Sequence, residues 1–506
     1  MDVRRLYITL AVMSATVMQV LDTTIVNVAL PHMSGELGAT SDSISWVLTS
    51  YIVAASIFMP LTGYLSDRLG RRRYLMISIA GFVITSALCG LSNSLAEMVV
   101  FRFLQGLFGA SLVPLSQSIM LDTYPADERG KAMAIWGMGV MVAPVLGPTL
   151  GGYLTEIINW RWTFYINIPV GIGSFLLAMK HVPDTEIKDR PMDWVGLVLL
   201  ALGIGAMQMV LDRGNQEDWF DSTSIRVFSV IAVAGFGLFI ANSLASVKQT
   251  LFDLRVFTDR NFVSASVLSA AMGLSLYGGM LLQPLMLENV LGYPAMDTGL
   301  AMMPRGLASM FSMMLVGNLS GKINPKLMIA VGIGVSIFGC YMMTSFNLNI
   351  TSRSLMLPLI LQGIGIGFIF APLSTIAFAT LPHDLATEGA GIYSLIRSLG
   401  SSIGISLVTT YFARSTQTSW DQLRGPINPY NPALNDYLAP LHLKTDGAGI
   451  TIIAQQVGLQ AQMNGLIAAF WLITASFLVM VPLLLLLKPG SKAKGDGLVI
   501  VVARPE

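Results

Sequence analysis

Asp22 stands inside an apolar run that extends from Leu6 to about Leu30. A carboxylate at the centre of a membrane-length segment costs roughly 2.5–3.5 kcal/mol on insertion scales, so its presence asks for a purpose. The purpose it suits is exchange: a buried acid that takes up either a proton or a cationic partner, but not both, couples the two. The competing role is a structural carboxylate bonded to Thr23, Thr24 or Asn27. Arg102 is a second charge inside an apolar run and needs a partner or a water-filled cavity. It is suited either to proton relay or to anchoring one helix to another. Arg305, after Pro304, and Arg397 are two more; either would line a path or bond helices together. Met18 and Gln19, one turn before Asp22, and Gln362 are candidates for lining a substrate cavity.

Two further patterns act through the backbone. Gly63-x-Leu65-x-Asp67-Arg68-x-Gly70-Arg71-Arg72 lies between two apolar runs. Its glycines allow two helix ends to approach closely. Asp67 can face a helix N-terminus or an arginine of the turn. Such a cluster can hold one face of a molecule closed and release it when a neighbouring charge changes. Gly147-Pro148-x-x-Gly151-Gly152 removes a backbone donor within an apolar stretch and should bend it.

Other chemistries find no support. The histidines, at 32, 181, 383 and 442, have no zinc-ligand spacing. Cys89 and Cys340 sit in separate apolar stretches, which argues against a disulfide framework or a thiolate metal site. No nucleophile–base pair stands out, and no Gly-x-x-x-x-Gly-Lys-Ser/Thr motif occurs. We expect no enzyme, no metal and no cofactor. A net charge of +1 gives no reason to expect nucleic acid.

The elements that must position these residues are transmembrane helices. Only 12% of the chain is charged, against roughly 25% in soluble domains. Apolar runs near the required ~20 residues fall at 6–30, 44–65, 74–92, 96–120, 130–153, 162–180, 193–211, 225–246, 262–287, 297–318, 327–346, 355–380, 387–412 and 463–487. The first follows Met-Asp-Val-Arg-Arg but is too long for a signal peptide, so it reads as a retained helix. With the N-terminus inside, 20 of the 30 Lys and Arg fall on the cytoplasmic side and 6 outside. That bias supports an even number of spans with both termini cytoplasmic. One outside loop is long, 413–462; its last part, from Ile450 to Gln462, suits an amphipathic helix.

The chain repeats itself weakly. Gly63-Tyr-Leu65-Ser66-Asp67-Arg68 returns as Gly317-Asn-Leu319-Ser320-Gly321-Lys322. Leu104-Gln105-Gly106 followed by Pro114-Leu115-Ser116 returns as Leu361-Gln362-Gly363 followed by Pro372-Leu373-Ser374. Both offsets are about 255 residues, or eight spans. The organisation expected is a six-helix bundle over 1–185, two inserted helices over 186–255, and a second six-helix bundle over 256–506. Paired six-helix halves suit a secondary transporter that rocks around a midplane site. Asp67 becomes Gly321 and Arg102 becomes Leu359, so ion coupling is expected in the first half.

On these motifs the chain resembles the major facilitator superfamily. The loop at 63–72 is similar to its signature loop, Arg102-x-x-Gln105-Gly106 to its charged fourth-helix motif, and Gly147-Pro148-x-x-Gly151-Gly152 to its antiporter motif. Leu21-Asp22-Thr23-Thr24-Ile25-Val26-Asn27-Val28-Ala29-Leu30-Pro31 resembles the first-helix motif of the fourteen-helix drug:proton antiporters. Trp160-Arg161-Trp162 with Asn167 and Pro169, and Leu211-Asp212-Arg213-Gly214 with Trp219, fit that branch too. Asn428-Pro429-Tyr430-Asn431-Pro432 fits the EmrB type within it. The resemblance implies an all-α polytopic fold of six, two and six helices, alternating access, and proton-coupled efflux of lipophilic or amphipathic molecules across a bacterial inner membrane. It also implies a periplasmic adaptor, an outer-membrane channel, and a fifth-helix bend that seals the cavity against leak. The alternatives are a dedicated exporter of one metabolite, lipid or siderophore, and a non-transporting sensor or adaptor anchor.

Overall fold

A bilayer core offers no water to backbone polar groups, so apolar segments of this length must satisfy their hydrogen bonds internally, as helices. The computed structural model describes residues 3–487 except 126, 189–190, 246–250, 426, 428–430, 433, 435, 437–439 and 441–446. Within it, 14 helices are long and apolar enough to cross a membrane. They are α1 (Val3–Glu36), α2 (Trp46–Leu69), α3 (Arg71–Leu91), α4 (Leu95–Thr123), α5 (Arg129–Ile157), α6 (Trp162–His181), α7 (Trp194–Arg213), α8 (Thr223–Ala245), α9 (Arg260–Val290), α10 (Met296–Leu319), α11 (Pro325–Met343), α12 (Arg353–Ala379), α13 (Ala386–Arg424) and α14 (Gly449–Leu486). The sequence marks their starts. Ser94 accepts from the Glu97 N–H, Asp193 from Gly196 and Asp259 from Phe262. Pro60 forces a 3-10 turn over Met59–Leu61 within α2.

The repeat seen in sequence returns in the packing. α1 packs on α4, α5 and α6; α2 and α3 pack on α4, and α3 on α6. Every one of these pairings recurs eight helices later, from α9 on α12, α13 and α14 to α11 on α14. The two glycines of the repeat do the same job in each copy. A Cβ on Gly106 would stand 2.4 Å from the Tyr51 carbonyl oxygen, and one on Gly363 would stand 2.2 Å from the Arg305 carbonyl oxygen. Only glycine lets α4 touch the backbone of α2, and α12 that of α10.

α7 and α8 cross at Gly203 and Gly235, where a Cβ on Gly235 would lie 2.7 Å from the Gly203 nitrogen. α7 docks on α2: Gln208 donates to Ser56 at 3.2 Å, Thr49 donates to Asp212, and Arg213 lies 4.9 Å from the centre of the Trp46 ring. Asp212 and Arg213, neighbours in sequence, thus both reach α2.

The two sets of six meet on the face that carries the N-terminus, called here the basic face. Arg71 Nη2 donates to Thr387 Oγ1 at 2.8 Å, and Ser118 and Thr387 share a hydrogen bond of 2.8 Å. A Cβ on Gly63 would lie 2.8 Å from Glu388 Cα, which brings α2 hard against α13. The backbone N–H of Asp253 donates to Glu388, tying the preceding segment to the same point. α5 and α10 stay close from Gly130 beside Ser320 to Thr149 beside Gly299.

The segment 413–462 corrects an expectation. It is not one long loop: α13 runs for 39 residues to Arg424, and the last helix begins at Gly447. Thirty-nine residues span about 58 Å at roughly 1.5 Å each, well beyond a ~30 Å hydrocarbon core. Ala413 to Leu423 contains no Gly or Pro to stop the helix, so hydropathy marks where the bilayer ends and not where the helix does. Ile450 to Gln462 is helical, as expected, and runs straight on into the last span. The two extensions pack as a pair, with a Cβ on Gly465 falling 3.0 Å from the Phe412 carbonyl oxygen and one on Gly458 3.4 Å from Trp420. Asn428, Pro429 and Tyr430, and the C-terminal part from Lys488, lie outside the described residues.

Candidate functional site

Asp22 and Arg102 have no exposed surface and face each other across α1 and α4. Arg102 Nη1 lies 2.6 Å from Asp22 Oδ2. A buried ion pair needs further hydrogen bonds for its remaining donors and lone pairs, and its neighbours supply four. Asp22 Oδ1 accepts from Gln105 Nε2 at 3.0 Å and from Asn167 Nδ2 at 2.9 Å. Arg102 also donates through Nη1 to Gln105 Oε1 at 2.6 Å and through Nε to the Val47 carbonyl at 3.1 Å. The Tyr51 ring covers the guanidinium at 4.3 Å. Ser86 on α3 accepts from both Gln105 and Asn167 and donates to the Phe164 carbonyl. Arg102 and Gln105 work together because three residues apart on a helix is one face.

The sequence pointed to Asp22, Arg102, Gln105 and Gly106 but did not join them. It treated Asn167 only as part of a motif and missed Ser86 and Tyr51. Asn167 carried a signal, a lone amide near the start of an apolar span; Ser86 is one serine among many in the spans. Thr23, Thr24 and Asn27 do not hold Asp22. They bond to backbone carbonyls of their own helix.

The antiporter-like motif packs directly behind this site. A Cβ on Gly147 would fall 2.2 Å from Thr24 Oγ1, and one on Gly151 3.0 Å from the Ile25 carbonyl oxygen. Pro148 follows Gly147, and α5 continues as one helix through it. A Cβ on Gly152, grouped with these by sequence, would meet nothing within 4 Å, so its lack of a side chain is not what brings α5 against α1.

Within the loop at 63–72, Arg71 is the residue that reaches across to α13, and it also pairs with Asp122. Arg68 bonds Tyr64 at 2.6 Å. Asp67 pairs with Lys188 at 3.5 Å. Gly70 has φ +81°, and a Cβ there would also meet Asp184 at 2.7 Å, so only glycine suits the corner between α2 and α3.

Two of the cavity candidates are buried among other side chains. Met18 is 1% exposed, lies one turn from Asp22 on the same face of α1 and packs its sulfur near Gly171 of α6. Gln362 is buried inside the second set of six, where its Oε1 accepts from Gln283 at 2.7 Å and its Nε2 lies 3.3 Å from Cys340 Sγ. Arg305 Nη1 donates to Gln283 Oε1 at 2.7 Å. Gln283, Gln362 and Arg305 form a buried polar cluster in the second half, with Gln362 at the position equivalent to Gln105, but its arginine comes from α10 and it holds no carboxylate among the described residues. Gln19 donates to the Tyr51 hydroxyl at 2.9 Å, one step from the ion pair. Arg397 lies at the junction of the two sets, beside Trp136 of α5 and Phe370 of α12.

Fourteen membrane helices, twelve of them in two equivalent sets of six, with a buried ion pair in the first set, define a multi-pass membrane transporter. The chain belongs to the Major Facilitator Superfamily, whose family model matches residues 12–405. It is 36% identical to the multidrug export protein EmrB of Haemophilus influenzae, over 95% of each chain. It is also 36% identical to the fatty acid resistance protein FarB of Neisseria gonorrhoeae, over 97% of each. The crystal structure of the human organic anion transporter MFSD10 aligns at a TM-score of 0.61 and 14% identity, over 96% of this chain and 99% of that one, which shows the shared fold.

Proposed function

We propose that this protein is a multidrug efflux pump that exchanges lipophilic or amphipathic molecules for protons across a bacterial inner membrane. The fully buried Asp22–Arg102 pair carries the reading. A carboxylate neutralised by an arginine is one state of a switch; a carboxylate neutralised by a proton is the other. Moving between them frees or recaptures Arg102, which is bonded to α2 as well as α1, so the change is felt in helix packing. Gly147 and Gly151 press α5 onto the same stretch of α1 and limit leak past the site. Residues 1–185 and 256–506 act as two rocking bundles, with 186–255 an inserted pair docked on the first. The basic face is cytoplasmic, which the Lys and Arg bias supports. Its closure through Arg71, Thr387 and Glu388 then corresponds to a carrier closed toward the cytoplasm. The relatives named for multidrug export and fatty acid resistance support a lipophilic cargo. The membrane potential adds about 2.3 kcal/mol per charge moved per 100 mV.

The decisive experiment is dye transport by the purified protein in proteoliposomes under an imposed pH gradient. Flux that rises with the gradient and collapses when an ionophore dissipates it is the expected result. Gradient-independent flux, or none for any dye tested, overturns the reading.

The paired extensions of α13 and α14 project beyond the membrane on the face opposite the basic one, where a periplasmic adaptor leading to an outer-membrane channel would dock. Shortening both helices by matched turns within 413–462 should abolish co-purification with the adaptor while leaving proteoliposome flux intact. Unchanged association removes the docking role.

A further inference from the structure

α2 stands between the ion pair and α7. Its inward stripe carries Val47 and Tyr51: the Val47 carbonyl accepts from Arg102 Nε at 3.1 Å, and the Tyr51 ring centre lies 4.3 Å from the guanidinium. Thr49 falls between them in sequence. Two positions along a helix turn a side chain by about 200°, so Thr49 points the opposite way. There it meets α7. Thr49, 3% exposed, donates to Asp212. Ser45 accepts from Arg213 Nη2 at 3.3 Å, the Arg213 guanidinium lies 4.9 Å from the centre of the Trp46 ring, and Ser56 accepts from Gln208 at 3.2 Å. A Cβ on Gly205 would lie 3.7 Å from Ile57 and 3.9 Å from Val53, which is ordinary contact. α7 thus grips α2 from Ser45 to Ile57, a stretch that ends just before the 3-10 turn at Met59–Leu61.

The second half has the same crossing without the grip. Tyr51 and Arg305 hold equivalent places, each with its carbonyl against the repeated glycine, Gly106 or Gly363. The same step of 254 positions, from 51 to 305, puts Leu307 and Phe311 where Val53 and Ile57 stand. They are 48% and 67% exposed, so among the described residues that face of α10 is left uncovered. A helix is laid against the wall of the half that holds the ion pair and not against its equivalent.

When Asp22 takes a proton, Arg102 loses its carboxylate and keeps Gln105, the Val47 carbonyl and the Tyr51 ring. Two of these belong to α2. A guanidinium deprived of its counter-ion in a buried site leans on its remaining partners more than a paired one does. A wall free to shift would hold the protonated state less well and favour the ion pair.

We propose that α7 braces this wall, and that Thr49 and Asp212 are positioning residues for the exchange at Asp22 and Arg102. This gives the inserted pair of helices a role, and it rests on the efflux reading. The ionisable groups facing Asp22 are Arg102 on α4, Tyr51 on α2 and Cys89 on α3; α6 meets it with Asn167, and α5 meets the same stretch of α1 with Gly147 and Gly151. None of these belongs to α7, so an effect of Thr49 on the pH response passes through α2.

The test is gradient-driven dye flux in proteoliposomes, measured against pH on the proton-donating side. Thr49→Val removes a donor and no charge. It should move the half-maximal pH toward acid by about half a unit to one unit, the size that one hydrogen bond transmits. Asp212→Ala should do the same, and the double variant no more than either alone, since all three lose one shared bond. Thr49→Ser should keep the unmodified midpoint. Asn242→Ala is the control: Asn242 donates to Asp193 at 3.2 Å within the inserted pair, and its loss should leave the midpoint in place. An unmoved midpoint in Thr49→Val, whatever its maximal flux, overturns the proposal. So does an equal shift in Asn242→Ala, or additive shifts in the double variant. Hydrogen exchange of residues 46–58 in lipid nanodiscs is the second measurement. Thr49→Val should speed it roughly fivefold, as the loss of one hydrogen bond predicts, and unchanged exchange also overturns the brace. If the unmodified protein shows no gradient-driven flux, the efflux reading falls, and exchange alone decides whether α7 holds α2.

Discussion

Asp22→Asn is expected to abolish gradient-driven efflux, bringing dye flux in proteoliposomes down to that of empty liposomes, while the protein still inserts and purifies as a monodisperse species. Asparagine nearly matches aspartate in shape but can neither hold a proton nor balance an arginine. It removes the chemistry and keeps the volume. The fold should survive because Arg102 retains the Gln105 side chain, the Val47 carbonyl and the Tyr51 ring. Arg102 is then held in one arrangement at every pH, and the switch has only one position. Size-exclusion profile and thermal stability in detergent serve as the control. An Asp22→Asn variant that pumps normally under the gradient removes Asp22 from coupling.

The second large effect concerns stability and not transport. Gly106→Ala and Gly363→Ala should each destabilise the protein by roughly 1–3 kcal/mol, the usual cost of overpacking. The obstacles are backbone oxygens, Tyr51 at 2.4 Å and Arg305 at 2.2 Å, and a carbonyl oxygen cannot rotate aside as a side chain can. Relief requires α4 to move off α2, or α12 off α10. Gly152→Ala is the matched comparison. It meets nothing within 4 Å, and alanine is the better helix former by roughly 1 kcal/mol, so it should be neutral or slightly stabilising. Thermal unfolding of the three variants in one detergent decides the matter. Equal shifts for Gly106→Ala and Gly152→Ala would show that the close crossing of α2 and α4 is not limiting.

The spans were legible because each is a local property: a run of apolar residues long enough to cross a bilayer has few alternatives to a helix. The repeat was legible for a related reason. Glycine at a backbone crossing tolerates almost no substitute, so Gly106 and Gly363 kept their neighbours Leu-Gln in both copies. The end of α13 was misread because hydropathy follows the solvent. Residues 413–424 are polar and still helical.

By itself, the sequence determined that the chain crosses the membrane 14 times, that two sets of six are related, and that Asp22 and Arg102 are charges in apolar surroundings. Each of those rests on residue type and spacing along the chain. Only the tertiary structure decided which charges meet. Arg102 and Asn167 lie 80 and 145 positions from Asp22, and it is the packing of α1, α4 and α6 that closes those gaps to 2.6 and 2.9 Å. It likewise decided that Met18 packs against α6, that Gln362 bonds within its own bundle, and that Arg397 lies among the rings of Trp136, Phe370 and Tyr393. A charge in a membrane must find a partner, but the partner lies on another helix, and helix packing is a property of the whole bundle that no single segment encodes.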